Sequence, residues 1–441
     1  MLELIAAGLF ATSEPPPLLR STNLSDWITQ VPLQALLEPQ DQPDEAALQD
    51  LQAYLDLLER YGWAAEGQSV WFQSGREVLA QHQGKEPLSA ASLTKIATTL
   101  VALETWGSGY QFVTGFSTTG NLENGVLQGD LIVQGGSNPL FVWEEAIAVA
   151  NQLQDLGVER VTGQLIVTGP FFMNYELDPI VAGTLLRTAF DDALWTGEVA
   201  QQHALMPAGT PRPSLTIDGG VAALGSAQAT NLAPRPLVNH YSLSLGQLLK
   251  LMNLYSNNFM ADLLGDLLGG GAALSRQASE LTGVPLREIQ LANGSGLGVE
   301  NRLSARAATA MLQAIQGRLR LQNMGVADVF PVAGLDVGTL QGRDIPSSAA
   351  VKTGTLAAVS ALAGVLPTRD RGLVWFSIIN SGSNLVELRA QQDYLLQDLA
   401  QIWGAAALAN VPSRQREVLG DPGRVEPLAE ALSRNQTITE R

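Results

Sequence analysis

The chain of 441 residues contains no cysteine. That excludes disulfides, a thiolate nucleophile and any cysteine-ligated metal, so its chemistry must rest on oxygen and nitrogen groups. Histidine is scarce, with only His82, His203 and His240. There is neither a Gly-x-Ser-x-Gly elbow nor a His-Glu-x-x-His pattern, so a conventional Ser-His-Asp hydrolase and a zinc hydrolase both lack their parts. The three histidines read as structural or surface residues. Positive charge is short as well: 26 Lys and Arg against 43 Asp and Glu give a formal charge of −17. Such a surface repels a phosphate backbone, which argues against nucleic acid as a partner. Acidic runs such as Asp41 to Glu45 read as solvated faces. No apolar run is long enough for a transmembrane span. Leu4 to Ala11 lacks a preceding basic region and reads as an apolar segment packed on the body, with an atypical export signal as the alternative.

What is present is a globular composition, 46% hydrophobic, long enough for one large domain carrying an insertion. Leu48, Leu51, Leu55 and Leu58 recur at helical spacing within residues 41–61. Residues 68–73 and 77–82 flank a Ser-Gly-Arg turn and predict a hairpin, and residues 94–106 predict a buried helix opened by Ser92. From about 110 to 235 short β-like runs punctuated by Gly, Asn and Pro surround one helix near 143–156, which reads as an inserted β-rich subdomain. Helical pattern returns at 244–268 and 304–315, strands are expected at 356–365 and 373–380, and a helix at 385–402. The stretch from 412 to 441 is polar and is expected to be a flexible tail.

The whole chain has four lysines, Lys85, Lys95, Lys250 and Lys352, and two of them fall in informative surroundings. Ser92-Leu93-Thr94-Lys95 places a hydroxyl and an amine about one turn apart at a helix start, so that both project from one face. A serine hydroxyl needs an adjacent base, and a lysine serves if its environment keeps it neutral. Lys352-Thr353-Gly354-Thr355 has the pattern of a cleft-lining strand, with glycine allowing close approach and hydroxyls able to hold a carboxylate. Between them, Ser256-Asn257-Asn258 puts a hydroxyl and a carboxamide where one helical run meets another. With four lysines, Ser-x-x-Lys and Lys-Thr-Gly would co-occur by chance on the order of 1% of the time, before the third motif is required between them.

This trio resembles that of the penicillin-binding superfamily, and the chain is similar to its type-4, class C carboxypeptidase/endopeptidase family. Gly129 to Pro139, Asn293-Gly294-Ser295-Gly296-Leu297 with Asn301, Arg302 and Ser304, and Pro331 to Leu340 also resemble segments of that family. The likeness runs from about 68 to 402 and is weakest from 187 to 235. Asn257 and Asn293 stand where the family commonly has aspartate.

The resemblance implies an α+β fold of the penicillin-binding-protein/β-lactamase type: a five-stranded, mainly antiparallel sheet flanked by helices, plus a helical lobe. The expected organisation is an extension at 1–40, a catalytic domain at 41–109 and 236–411, the insertion at 110–235 and the tail at 412–441. It implies a serine-type D-Ala-D-Ala carboxypeptidase/endopeptidase acting on peptidoglycan stem peptides, inhibited covalently by β-lactams and working in the periplasm or another extracytoplasmic space. Ser92 would be the nucleophile, Lys95 the general base and Ser256 a proton relay. Asn258 would bind a substrate amide, while Lys352 would keep Lys95 neutral and attract the terminal carboxylate. Thr353 and Thr355 would hold that carboxylate, and Gly354 would line the cleft between them. No metal or organic cofactor is implied. A β-lactamase or esterase on the same fold, or a non-catalytic wall-binding scaffold, are the alternatives.

Overall fold

The computed structural model describes residues 39–407 and 418–428. The apolar segment at 4–11, most of the expected extension and most of the expected tail lie outside the described residues. In chain order the elements that matter here begin with β1 (Gln40–Asp41), α1 (Glu45–Arg60), β2 (Gln68–Ser74), β3 (Glu77–His82) and α2 (Thr94–Trp106). The inserted part contributes β4 (Val113–Thr118), β5 (Leu131–Gln134), α3 (Trp143–Asp155), β6 (Leu165–Thr168), α4 (Pro179–Phe190), α5 (Gly197–Leu205), β7 (Val221–Leu224) and β8 (Arg235–Tyr241). The chain then forms α6 (Leu245–Leu254), α7 (Asn258–Leu267), α8 (Gly270–Thr282), α9 (Ala305–Arg320), β9 (Ala350–Leu356), β10 (Val359–Pro367), β11 (Leu373–Ser381), α10 (Leu385–Ile402) and β12 (Val425–Pro427).

Residues 39–110 and 244–407 belong to one unit. Its sheet runs β1-β3-β2-β11-β10-β9, antiparallel except for β1, which lies parallel to β3 and adds a short sixth strand to the expected five. Helix α1 starts where the Asp44 carboxylate accepts from the Ala47 N–H, satisfying a donor that the first turn leaves free. Its buried face, Ala47, Leu51, Tyr54 and Leu58, packs with α10 against one side of the sheet, in a core containing Phe72, Phe376, Leu396 and Trp403. Helix α9 covers β2 and β11 and in turn meets α2. Every residue of α2 from Thr94 to Leu103 is buried, so this helix runs through the interior rather than along a surface. All of β10 is buried too; a strand covered on both faces needs no polar alternation. That leaves β9 as the edge strand, with Lys352 paired to Ala363 and Thr355 to Ser360 of β10.

Residues 111–243 and 418–428 belong to a second unit. The larger of its two sheets runs β7-β6-β5-β4-β8-β12, with β6 parallel to both of its neighbours and the remaining pairs antiparallel. The expected boundary at 235 therefore moves to 243, because β8 belongs to this sheet, paired with β4 on one side and β12 on the other. The expectation of a β-rich insertion with one helix also needs correction, since α3, α4 and α5 contribute to the core. Asp178 accepts from the Ile180 and Val181 N–H groups, with Pro179 at the first helical position, a start signal masked by the Gly and Pro content around it. Gly183 lets α4 lie close on the sheet, since a Cβ there would come within 2.6 Å of Val221 Cγ1 and 2.7 Å of Val167 Cγ2.

The expectation of a flexible C-terminal tail is corrected for 418–428. There β12 pairs with Val238 to His240, and Arg424 donates at 2.5 Å to the buried Glu145. Glu145 also pairs with His240 at 2.7 Å. One strand pairing and one buried ion pair hold a segment whose composition alone reads as solvated.

Candidate active site

Ser92 sits in the 3₁₀ turn Ala91–Leu93 that runs directly into α2. It thus precedes the helix that it was expected to open. Ala91 has φ +49°, a left-handed conformation that costs energy for a residue with a side chain. Two glycines from distant segments press on this turn. A Cβ on Gly296, itself at φ +83°, would lie 1.9 Å from the Ala91 carbonyl oxygen. One on Gly354 would lie 2.9 Å from the Ala90 carbonyl oxygen and 3.2 Å from Ser92 N. The turn is gripped by backbone on both sides, while the Ser92 side chain stays partly accessible.

Lys95, one turn further on, is completely buried. Its Nζ lies 3.0 Å from Ser92 Oγ, 2.7 Å from Asn258 Oδ1 and 2.7 Å from the Ser295 carbonyl oxygen. A neutral amine has two N–H donors and one lone pair. Asn258 Oδ1 and the Ser295 carbonyl are pure acceptors and take the two donors, which turns the lone pair towards the Ser92 hydroxyl. Burial lowers the Lys95 pKa from 10.5 to about 7, and the charge of Asp262 works against that fall. Asp262 Oδ1 accepts from the Ser295 N–H at 2.8 Å, fixing the loop that supplies the acceptor carbonyl.

Ser256 occupies the break between α6 and α7 at φ +52°. Asn257 caps α7 by accepting from the Met260 N–H at 3.0 Å, a task that asparagine and aspartate perform about equally. Asn258 opens α7 and is exposed apart from its tie to Lys95. Lys352, fully buried, donates to Ser256 Oγ at 3.0 Å and to the Thr353 carbonyl at 2.6 Å. Burial first, and the charge of Lys95 second, hold Lys352 well below the ordinary lysine range. Burial rather than Lys352 is thus the leading reason that Lys95 is held low.

The named motifs therefore converge within one unit as two lysine–serine pairs, Lys95 with Ser92 and Lys352 with Ser256. Thr353 is buried and Thr355 exposed at the open end of β9. Sequence reasoning assigned no role to the Ser295 carbonyl, to Asp262 or to Arg389, whose Nη2 donates to Thr355 Oγ1 at 2.9 Å. The Asn293 to Leu297 segment was recognisable, but its contribution here is a backbone oxygen. Asn293 suits that loop, since it accepts from the Gly296 N–H and donates to the Leu297 carbonyl, each at 2.8 Å; an ionised aspartate could only accept. Lys250 is a structural clamp on Asp336 and the Ala327 and Phe330 carbonyls. His82 and His203 contact carbonyl oxygens, of Ala65 and Thr210, while His240 is buried against Glu145 in the inserted unit.

The model of the D-Ala-D-Ala carboxypeptidase 3 (S13) family matches residues 49–179 and 214–401. The unmatched interval falls in the inserted unit and takes in most of α4 and all of α5. Carboxypeptidase DacB of Mycolicibacterium smegmatis is 24% identical over 373 residues, which is 73% of this chain and 75% of that protein. A D-alanyl-D-alanine carboxypeptidase of an Actinomadura species is 27% identical over 275 residues, covering 58% of this chain and 49% of that protein. Among solved structures, the penicillin G-acylated Bd3459 predatory endopeptidase of Bdellovibrio bacteriovorus superimposes with TM-score 0.69 at 20% identity, covering 82% of this chain and 99% of that one. Penicillin binding protein 4 of Haemophilus influenzae gives 0.55 at 19% identity, covering 86% and 99%. These likenesses share the α+β penicillin-binding fold, and the family model spans both stretches that carry the lysine–serine pairs. The chain therefore belongs to the D-Ala-D-Ala carboxypeptidase 3 (S13) family, and is a serine peptidase of the type-4 penicillin-binding group.

Proposed function

We propose that Ser92 is the nucleophile of a D-Ala-D-Ala carboxypeptidase/endopeptidase that works on peptidoglycan stem peptides through an acyl-enzyme. Ser92 Oγ attacks the carbonyl carbon of the penultimate D-alanine and gives its proton to Lys95 Nζ. The oxyanion is met by the backbone N–H groups of Ser92 and Thr355. The C–N bond then breaks as the departing amine takes a proton relayed through Ser256 Oγ, leaving an ester on Ser92. Because Lys352 donates to Ser256 Oγ, the hydroxyl proton of Ser256 is free to point at that amine. Water repeats the attack and releases the shortened stem. With its Oδ1 held by Lys95, Asn258 can offer Nδ2 to a substrate carbonyl, and the Thr353 and Thr355 hydroxyls face the terminal carboxylate. No step requires a metal or cofactor. Such a substrate lies outside the cytoplasmic membrane, so the proposed compartment is the periplasm; among the described residues no helix is long and apolar enough to cross a membrane.

The observation that carries this reading is the placement of Lys95 Nζ 3.0 Å from Ser92 Oγ, with two carbonyl-type acceptors each at 2.7 Å to take its N–H donors. Exposure to benzylpenicillin should give a covalent adduct, seen in the intact mass and mapped to the Ser92 peptide, and Ser92→Ala should give none. An adduct on another residue, or no adduct on the folded protein, would remove Ser92 from the mechanism. The lifetime of the adduct tests the β-lactamase alternative, which requires rapid loss.

Asp262 offers an independent check on Lys95. Asp262→Asn keeps an oxygen to accept from the Ser295 N–H but removes the negative charge that favours protonated Lys95. The amine should then stay neutral to lower pH, and the midpoint of the acylation rate against pH should move down. An unmoved midpoint would show that Asp262 does not act on this base.

A further inference from the structure

A substrate ending in D-alanine brings a carboxylate to the end of β9, yet the lysine of that strand is poorly suited to meet it. Lys352 Nζ is buried and engaged by Ser256 Oγ and the Thr353 carbonyl. The cation at the open end of the strand is instead Arg389, one turn into α10 and partly exposed. Its Nη2 donates to Thr355 Oγ1 at 2.9 Å. Arginine has donors only, so Thr355 Oγ1 must accept from it, and the Thr355 proton is left for a different acceptor.

The acids nearest to Arg389 on its own helix are occupied elsewhere. Glu387 accepts from Tyr61 Oη and Gln391 Nε2, and Asp393 is held by Arg343. In a chain with a formal charge of −17, a guanidinium that has no carboxylate partner among the described residues, beside an exposed threonine hydroxyl, makes a two-point receptor for a carboxylate.

We propose that Arg389, together with the Thr355 hydroxyl, determines the preference of this site for a departing residue that carries a free α-carboxylate. The inference rests on the active-site reading above, with the substrate's carboxylate end at Thr355. The contact exists in the bound ground state and persists in the transition state, so its loss raises KM more than it lowers kcat.

The test compares a peptide ending in D-Ala-D-Ala as the free acid with the same peptide amidated at its C-terminus, and adds a thioester of N-acyl-D-alanine with an uncharged leaving group. In Arg389→Gln the ratio of kcat/KM for the acid over the amide is expected to fall roughly 10- to 100-fold, the scale of a charge-assisted hydrogen bond. The change should sit mainly in KM, and Arg389→Lys should recover part of it by restoring charge without the planar fork. An unchanged ratio, or equal losses on acid and amide, overturns the proposal. The thioester separates the two readings: if wild type forms no acyl-enzyme on Ser92 from any of the three substrates, the nucleophile assignment fails rather than the role of Arg389.

Discussion

Lys95→Ala is expected to slow acylation of Ser92 by benzylpenicillin at least about 10²-fold, the usual scale for losing a positioned general base. The same residue should shape the pH dependence of the wild-type enzyme. Burial takes its pKa from 10.5 to about 7, and the working base is the neutral amine. Below pH 7 most molecules carry the protonated form, which has no lone pair to accept the Ser92 proton. Above it the neutral form dominates, so the acylation rate should climb through about pH 7 and then level. In Lys95→Ala that rise should vanish along with the rate. Because alanine would also leave a cavity where the buried stem lies, Lys95→Met serves as a second variant that fills that space, while Asn258 Oδ1 and the Ser295 carbonyl lose their donor in both. Thermal melting then separates loss of the base from loss of the fold. A folded Lys95→Met protein that acylates at the wild-type rate, or a wild-type rate flat from pH 6 to 8, would dismiss Lys95 as the base.

Gly296→Ala should be the most damaging single-methyl change near the site. The residue has φ +83°, and its added Cβ would sit 1.9 Å from the Ala91 carbonyl oxygen and 2.6 Å from the Ala91 carbonyl carbon. Both obstacles are backbone, so no rotamer change relieves them. Either the 293–297 loop withdraws, taking the Ser295 acceptor from Lys95, or the Ser92 turn shifts away from its base. Strain and overpacking together should cost about 3 kcal/mol or more of stability, and acylation should fall by about 10²-fold or more, since small displacements of reacting groups cost that much. Gly354→Ala should be milder: its Cβ would meet the Ala90 carbonyl oxygen at 2.9 Å and Ser92 N at 3.2 Å, gaps that shifts of a few tenths of an ångström could relieve. Melting curves and acylation rates of the two variants provide the measurement. Gly354→Ala proving worse, or Gly296→Ala melting within about 2 °C of wild type, would refute this account of how the nucleophile turn is gripped.

Several elements were legible without coordinates because their signals are local. The helix expected at 385–402 has those bounds in the structure, and the one expected within 41–61 forms at Glu45–Arg60, where Asp44 provides the cap. Residues 143–156 likewise contain Trp143–Asp155. Each carries a helical period, and a side-chain cap (Asp44, Asn384) or a glycine just past the end (Gly157) marks its limit. The inserted unit was harder to read. Its helix at Pro179–Phe190 is apolar along most of its length, and its Gly and Pro neighbours suggest turns.

By itself, the sequence determined which side chains could do chemistry. A chain with no cysteine, three histidines and four lysines leaves few combinations, and short motifs carry Ser92, Lys95, Ser256, Asn258 and Lys352 because each requires a particular side chain. Tertiary structure decided what surrounds them. The Ser295 carbonyl that orients Lys95 is a backbone atom with no side-chain signature. Asp262 and Arg389 act across 33 and 34 residues of chain, where no local period links them to their partners. The low pKa of Lys95 comes chiefly from burial, a property of the packed core that no sequence window contains. The docking of 418–428 has the same origin: a polar segment becomes a strand only because β8 presents an open edge and Glu145 a buried charge to pair with Arg424.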